Sequence, residues 1–413
     1  MSAEIRPVAL QRCLVIAGEP SGDTLAAELI QALRAHPCVQ AQTWPLRVFG
    51  AGGARLAATG AAPLIDLTTH AAVGLAEVLK NYRFYRRHFD QLLELAFSEL
   101  PDLILLVDFS GFNRRFARAL RRRLARVEGT AFHNWRPRIV YYVSPQVWAS
   151  RPGRAAALET DVDLLLSIFP FERAWYAARA PKLSVEFIGH PMIDRHASTP
   201  RAVGGSASGL SAPTDKAYGV LLPGSRRGEL ARHLPPMLDA VEKLARTSPL
   251  RWRMVLPNAA LMAQARDAMQ GRSLPVELVE GQLGSTLANA QVAMASTGTI
   301  TLELAYFGVP TVALYKTSKL TYEIGRRIIR VRFLSMPNLL ANEEVFPEFI
   351  QDAATGENLA RAVSDLLGNP RKQETIRHRL REIVLSLGAP GACHRGADAI
   401  VRLLQHGGDD AHR

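Results

Sequence analysis

Short apolar runs alternate with amphipathic helical stretches along nearly the whole chain, and this alternation limits the fold more than any other feature. Residues 10–17 read as a buried strand and 21–34 as the helix after it, opened by Pro20-Ser-Gly-Asp23. Residues 47–49 begin a second strand that ends in the turn Gly50-Ala-Gly-Gly53. Residues 103–108 run into the loop Phe109-Ser-Gly-Phe-Asn113, and 139–143 are closed by Ser144-Pro145. Strands at 164–168 and 185–188 complete a first set; a second set lies at 217–222, 252–256, 276–279, 291–295 and 311–315. Apolar strands separated by helices predict βαβ units and parallel sheets, an α/β chain.

At 413 residues the chain exceeds one ordinary core, so two domains are expected. The stretch 194–216 is rich in Ser, Gly, Pro and Ala and reads as an interdomain linker. The expected organisation is a first Rossmann-like domain at 1–194, a linker at 195–216, a second Rossmann-like domain at 217–385, and a C-terminal helix and tail at 386–413. The interruption Gly388-Ala-Pro-Gly391 lets that last helix pack back on the first domain. Two such domains with parallel sheets facing across a cleft make a GT-B type architecture. Ligands of parallel sheets bind beyond the carboxyl ends of the strands. Gly18, Glu19, Asp108 and Ser144 to Trp148 are therefore expected to converge.

The strand at 291–295 leads into Ser296-Thr-Gly-Thr299 and then a helical pattern through Ile300, Leu302 and Leu304. Free N–H groups and the helix dipole at such a junction favour an anion. Leu222-Pro-Gly-Ser-Arg-Arg227 repeats this strand-to-helix form, with arginines suited to phosphate. Each junction alone also fits an ordinary capped helix; two in one half point to a nucleotide diphosphate.

Apolar residues are 48% and charged ones 21%, a globular balance. No apolar run reaches the roughly 18–20 residues that span a bilayer, and residues 1–12 carry no signal-peptide core. Three cysteines without metal spacing argue against a disulfide framework and for a reducing cytoplasm. The formal net charge of +12 implies an anionic partner. Residues 113–126 hold seven arginines and no acid; residues 316–332 hold two lysines and four arginines against one Glu, interleaved with Ile328, Ile329 and Val331. The second segment suits a helix on anionic lipid, or a solvated helix face. No nucleic-acid motif or aromatic platform is present, so nucleic acid is not expected as a partner. Residues 73–79, followed by Tyr82, Phe84, Tyr85, Arg86, Arg87 and Phe89, mix aromatics with cations as a lipid-receiving helix does, although domain core uses the same residues.

The ordered motifs resemble one family. They are Ala17-Gly-Glu-Pro-Ser-Gly-Asp23, Val73-Gly-Leu-Ala-Glu-Val-Leu79, Tyr142-Val-Ser-Pro-Gln-Val-Trp148, Phe187-Ile-Gly-His-Pro191, Leu222-Pro-Gly-Ser-Arg226, Thr297-Gly-Thr299 with Glu303, and Ser335-Met-Pro-Asn-Leu-Leu-Ala341. Together they resemble lipid-A-disaccharide synthases. The resemblance implies an inverting GT-B glycosyltransferase that joins UDP-2,3-diacylglucosamine to 2,3-diacylglucosamine 1-phosphate, giving a β-1,6 disaccharide 1-phosphate and UDP. It also implies work at the cytoplasmic face of the inner membrane, with no cofactor and no required metal. The chain departs from the family pattern at Val73, Gly111 and Ser150, where Met, Asp and Trp are usual, and in the insertion around 204–214.

Asp108 ends a buried strand, and the resemblance puts the proposed base there; capping its own loop is the other use of an Asp in that place. Glu19 and Asp23 are alternatives as base. Gly18, Ser21, Asp23, Asn113, Ser144 and Asn338 are assigned to acceptor or donor sugar, with Asp23 otherwise a first-turn cap and Asn338 otherwise a turn residue. Gly224, Ser225, Arg226, Thr297, Gly298 and Thr299 are assigned to the diphosphate and Glu303 to the ribose hydroxyls. His190 reads as a turn residue, and Trp148 and Tyr142 as core. The competing readings are a GT-B enzyme with a polyprenyl-linked acceptor, a UDP-sugar epimerase, and a non-catalytic UDP-sugar-binding protein. The oligomeric state stays open, a homodimer included.

Overall fold

The computed structural model describes residues 8–68, 82–127, 130, 134–197 and 218–409. The expected lipid-facing segment 73–79 and nearly all of the expected linker lie outside the described residues. The chain divides into two compact units: Met1–Asp194 with Leu387–Arg413, and Arg195–Ser386.

The first unit is built on β1 (Arg12–Ala17), β2 (Arg47–Ala51), β3 (Ala62–Ile65), β4 (Leu103–Val107), β5 (Arg138–Tyr142), β6 (Leu164–Ser167) and β7 (Val185–Phe187). All pair in parallel in the order β3-β2-β1-β4-β5-β6-β7. Its helices are α1 (Pro20–Ala35), α2 (Tyr82–Glu99), α3 (Ser110–Val127), α4 (Ala155–Asp161) and α5 (Glu172–Ala177). β4 has every side chain fully buried, as an inner strand covered on both faces must. Leu92 and Ala96 of α2 and Phe116 and Leu120 of α3 cover the face that carries Ile104 and Leu106.

The second unit holds β8 (Tyr218–Leu222), β9 (Arg251–Leu256), β10 (Val276–Glu280), β11 (Ala290–Ser296), β12 (Thr311–Tyr315) and β13 (Glu348–Ile350), parallel in the order β10-β9-β8-β11-β12-β13. Its helices include α6 (Arg227–Leu244), α7 (Ile300–Tyr306), α8 (Lys319–Ile328), α9 (Met336–Ala341), α10 (Gly356–Gly368) and α11 (Pro370–Ser386). Gly388 and Gly391 take φ of +93° and +96°, which makes a turn that glycine alone enters freely. The last helix, α12 (Ala392–Asp409), packs on α1 of the first unit.

Both sheets reverse strand order once, between β1 and β4 and between β8 and β11. Such a switch point leaves a crevice at the carboxyl ends of the two central strands. Two strands escaped the sequence reading. β3 is a half-exposed edge that contains Pro63, and β13 is three residues long; neither has the apolar run of an inner strand.

Candidate active site

At the β1–β4 switch point the backbone is forced into rare conformations. Asp108 and Phe109 follow β4 with φ of +48° and +46°, and Val143 follows β5 with φ of +65°. Non-glycine residues in this region are strained, most of all a β-branched one. Three neighbours hold the bend after β4. Tyr141 Oη donates to Asp108 O at 2.8 Å, and Asp108 N donates to Tyr142 O at 2.9 Å. Asn113 Nδ2 lies 2.9–3.3 Å from the carbonyls of Ile16, Val107 and Asp108, which ties the ends of β1 and β4 together. Asn113 is fully buried, and its Oδ1 has no hydrogen-bond partner among the described residues.

α1 starts against this bend. A Cβ on Gly22 would lie 3.8 Å from Asp108 Cβ, and one on Gly18 would meet the Phe109 ring at 2.3 Å. Gly18 is thus required by the close passage of an aromatic ring. Glu19 is the N-cap residue of α1 and accepts from Asp23 N at 2.8 Å through its carbonyl. Gly18 and the start of α1, which carries Glu19 and Ser21, therefore lie beside the turn of Asp108 and Phe109.

Asp23 needs correction as a catalytic or sugar-contact candidate. It is 4% exposed, and its carboxylate accepts from the N–H groups of Gly53, Arg55 and Leu56 at 2.7–3.2 Å. It caps the helical turn after β2 from 30 residues away. Its first-turn position in α1 suggested local capping; the partner is the turn Gly50-Ala-Gly-Gly53.

Phe109 also opens an aromatic cavity of about 590 Å³, walled by Tyr82, Tyr85, Phe89, Phe109 and Phe112, with Gly111 on its lining. Arg86, Asp90 and Arg115 give it charged edges. The Phe109 and Phe112 rings stack at 5.3 Å. The aromatic run after residue 81 thus encloses space as well as joining the core.

Ser144 lies beyond β5, 3% exposed, and its hydroxyl bonds the Tyr176 phenol at 3.0 Å. One residue here went unread in the sequence. Glu172 is fully buried, accepting from Trp148 Nε1 at 3.0 Å and from Phe169 N at 3.3 Å. Burial pushes its carboxyl up to about 7, against the opposing bonds from Trp148, Ser144 and the backbone. Trp148, read as core, is held by this acid; His190 makes the expected turn, its Nδ1 accepting from Met192 N at 3.2 Å.

In the second unit both expected anion loops follow neighbouring strands, since Leu222 of β8 pairs with Ala295 of β11. Gly224 takes φ of +127° and Gly298 φ of +147°. Thr297 N is already bonded to Leu314 O at 3.1 Å, which corrects its assignment as an anion donor. The N–H groups of Gly298, Thr299 and Ile300 have no backbone partner among the described residues. Arg226 and Ser225 N both bind Glu229, at 3.0 and 3.2 Å; a phosphate there competes with that carboxylate. Glu303 accepts from His196 Nε2 at 3.1 Å through Oε2.

Asn338 is corrected as a sugar contact. It is fully buried; Nδ2 donates to Phe346 O and Glu348 at 2.7 and 2.8 Å, and Oδ1 accepts from Val345 N and Phe346 N. It fixes the chain entering β13.

The family model for lipid-A-disaccharide synthetase matches residues 13–401, which carry both crevices. The chain belongs to the lipid-A-disaccharide synthase family. The family's curated members include the lipid-A-disaccharide synthase of Geobacter sulfurreducens, 34% identical over 396 residues, with 95% of this chain and 97% of that one covered. Lipid-A-disaccharide synthase 1 of Legionella pneumophila is 32% identical over 384 residues, covering 92% and 94%. Among solved structures, UDP-GlcNAc 2-epimerase from Neisseria meningitidis aligns with a TM-score of 0.60 at 13% identity, covering 95% of this chain and all of that one. The calicheamicin glycosyltransferase CalG4 aligns at 0.56 and 16%, covering 96% and 99%. At such identities these show the fold, which is GT-B. The family makes this chain a glycosyltransferase of lipid A biosynthesis. No helix among the described residues is long and apolar enough to cross a membrane.

Proposed function

We propose that the chain transfers 2,3-diacylglucosamine from UDP to 2,3-diacylglucosamine 1-phosphate with inversion, forming the β-1,6 disaccharide 1-phosphate and UDP. The observation that carries this reading is the juxtaposition of Asp108, in a strained turn at the β1–β4 crevice, with the aromatic cavity that starts at Phe109. An acylated sugar needs both a base and an apolar recess. The Asp108 carboxylate takes the proton of the acceptor 6-hydroxyl as that oxygen bonds to C1 of the donor sugar. The bond from C1 to the diphosphate oxygen breaks, and its electron pair leaves with UDP. Glu19, at the same crevice, is the alternative base.

The leaving diphosphate is met by the N–H groups of Gly298 and Thr299 and by Gly224, Ser225 and Arg226, with Arg226 exchanging Glu229 for phosphate. Glu303 receives the ribose hydroxyls. Association with the anionic inner-membrane surface is supported by α8, which has no buried residue and exposes Leu320 and Ile324 beside Arg326 and Arg327.

The test is UDP release from UDP-2,3-diacylglucosamine, with and without the monosaccharide 1-phosphate. Acceptor-dependent release that falls about 10²–10⁴-fold in Asp108→Ala supports the reaction and the base. Undiminished release in the variant moves the base to Glu19. No release from the wild-type chain overturns the reading.

A further inference from the structure

Four arginines gather beyond the carboxyl ends of β4 and β5, with no acid among the described residues to meet them. Arg114 and Arg115 stand in the first turns of α3, and Arg151 and Arg154 lie at the ends of the turn that leads into α4. α3 and α4 are locked together further along, where Arg118 meets Asp161 at 3.3 Å and Arg121 meets Asp163 at 2.6 Å. That register sets the start of α3 level with the start of α4. Arg115 and Arg151 each act electrostatically on both Arg114 and Arg154.

The seven-arginine run at 113–126 therefore divides. Arg118, Arg121 and Arg123 pair with Asp161, Asp163 and Glu94. Among the described residues Arg114, Arg115, Arg151 and Arg154 have no carboxylate at ion-pair distance; Arg114 Nε donates to Ser110 O at 3.1 Å. Arg114 and Arg154 are half-buried. Burial most of all weakens the hold of both on their protons; repulsion by the neighbouring arginines adds to it, opposed at Arg114 by Tyr141. Unmatched, partly buried guanidinium groups are costly unless an anion joins them. The positive end of the α3 dipole adds to the same field. Arg115 also lines the aromatic cavity, so the cationic site opens beside an apolar one. A ligand that satisfies both carries a phosphate and an acyl chain.

We propose that Arg114, Arg115, Arg151 and Arg154 form a phosphomonoester site that takes the 1-phosphate of the acylated sugar acceptor. This rests on the transfer reaction proposed above. Guanidinium forks bind phosphate oxygens in pairs, which fixes the orientation of the sugar as well as its affinity. An anionic lipid headgroup offers similar chemistry, and the test separates the two.

The experiment compares kcat/KM for 2,3-diacylglucosamine 1-phosphate and for the same lipid lacking the phosphate. The variants are Arg114→Ala with Arg154→Ala, Arg151→Ala alone, and Arg122→Ala, an exposed arginine of the same helix. The wild type is expected to prefer the phosphorylated acceptor. Each arginine lost from the cluster should cost roughly tenfold on that acceptor through KM, leave the unphosphorylated one unchanged, and differ from Arg122→Ala, which moves neither. Equal losses on both acceptors overturn the proposal. Arg114→Lys with Arg154→Lys should recover part of the preference, which a folding defect would not.

Co-sedimentation with phosphatidylglycerol vesicles, against phosphatidylcholine, is the second arm. Loss of vesicle binding with the acceptor preference intact makes the cluster a headgroup site and overturns the proposal. If the wild type transfers to neither acceptor, the reaction proposed above fails. Co-elution of the radiolabelled phosphorylated lipid with the protein in detergent micelles then still reports on the cluster. Retention of that binding in the double alanine variant overturns the site, and its loss supports it.

Discussion

The indole N–H of Trp148 donates to the Glu172 carboxylate across 3.0 Å, joining the short helix Val147–Ser150 that follows β5 to the first turn of α5. The acid is buried and its carboxyl is raised from 4.5 to about 7, chiefly by burial. The folded chain therefore holds a proton on Glu172 that the unfolded chain releases near 4.5. The stability linked to it is complete below that value and is lost as pH rises through about 7. The expected outcome is a thermal midpoint that falls across this window in the wild type, with a smaller fall in Glu172→Gln. Identical pH profiles would remove Glu172 as the cause.

Gly18 packs against the Phe109 ring whereas Gly111 borders the cavity, and the two should respond differently to alanine. A Cβ at Gly18 meets the Phe109 ring at 2.3 Å, whereas at Gly111 nothing lies within 4 Å. Gly18→Ala is expected to cost about 1–3 kcal/mol by overpacking and to lower transfer by displacing the Asp108 turn. Gly111→Ala should stay within about 0.5 kcal/mol. Chemical denaturation and UDP-release assays measure both; equal effects would mean that the ring moves aside freely.

Asn338→Ala removes four hydrogen bonds inside the second unit, two given and two accepted. Leaving Val345 N, Phe346 N and Phe346 O unsatisfied should cost several kcal/mol at about 1–3 each. The loss is expected as a lower melting temperature, with donor KM unchanged at a temperature where the variant is folded. A raised donor KM at wild-type stability would return Asn338 to the sugar site.

Leu320 is 70% exposed on α8, and Ile324 is 38% exposed one turn later. Replacing both by serine is expected to move the protein from the membrane to the soluble fraction without a change in melting temperature. Unchanged partitioning on fractionation would remove α8 as a contact with lipid.

The inner strands were legible because strands buried on both faces of a parallel sheet are apolar along their buried length, as β4 and Val292 to Ala295 of β11 are. The two strand-to-helix loops of the second unit were legible from their form, a strand followed by small residues and glycines and then a helical pattern, although an ordinary capped helix shares that form. Sequence alone also placed Asp108 at a strand end, because chain order and parallel pairing fix which residues reach the carboxyl edge.

Side-chain partnership was decided only by the tertiary structure. Asp23 looked like a local cap or a sugar contact until the turn after β2 supplied its three donors. Asn338 looked exposed to a ligand until β13 closed over it, and Glu172 had no signal at all, being one acid in a short helix. The same holds for the arginine run, whose members are alike in sequence yet divide, among the described residues, into paired and unpaired groups according to whether Glu94 of α2, Asp161 at the end of α4 or Asp163 beyond it comes within reach. Periodicity records which face of an element is buried. Whether a polar group is satisfied depends on partners tens of residues away, and only packing brings those together.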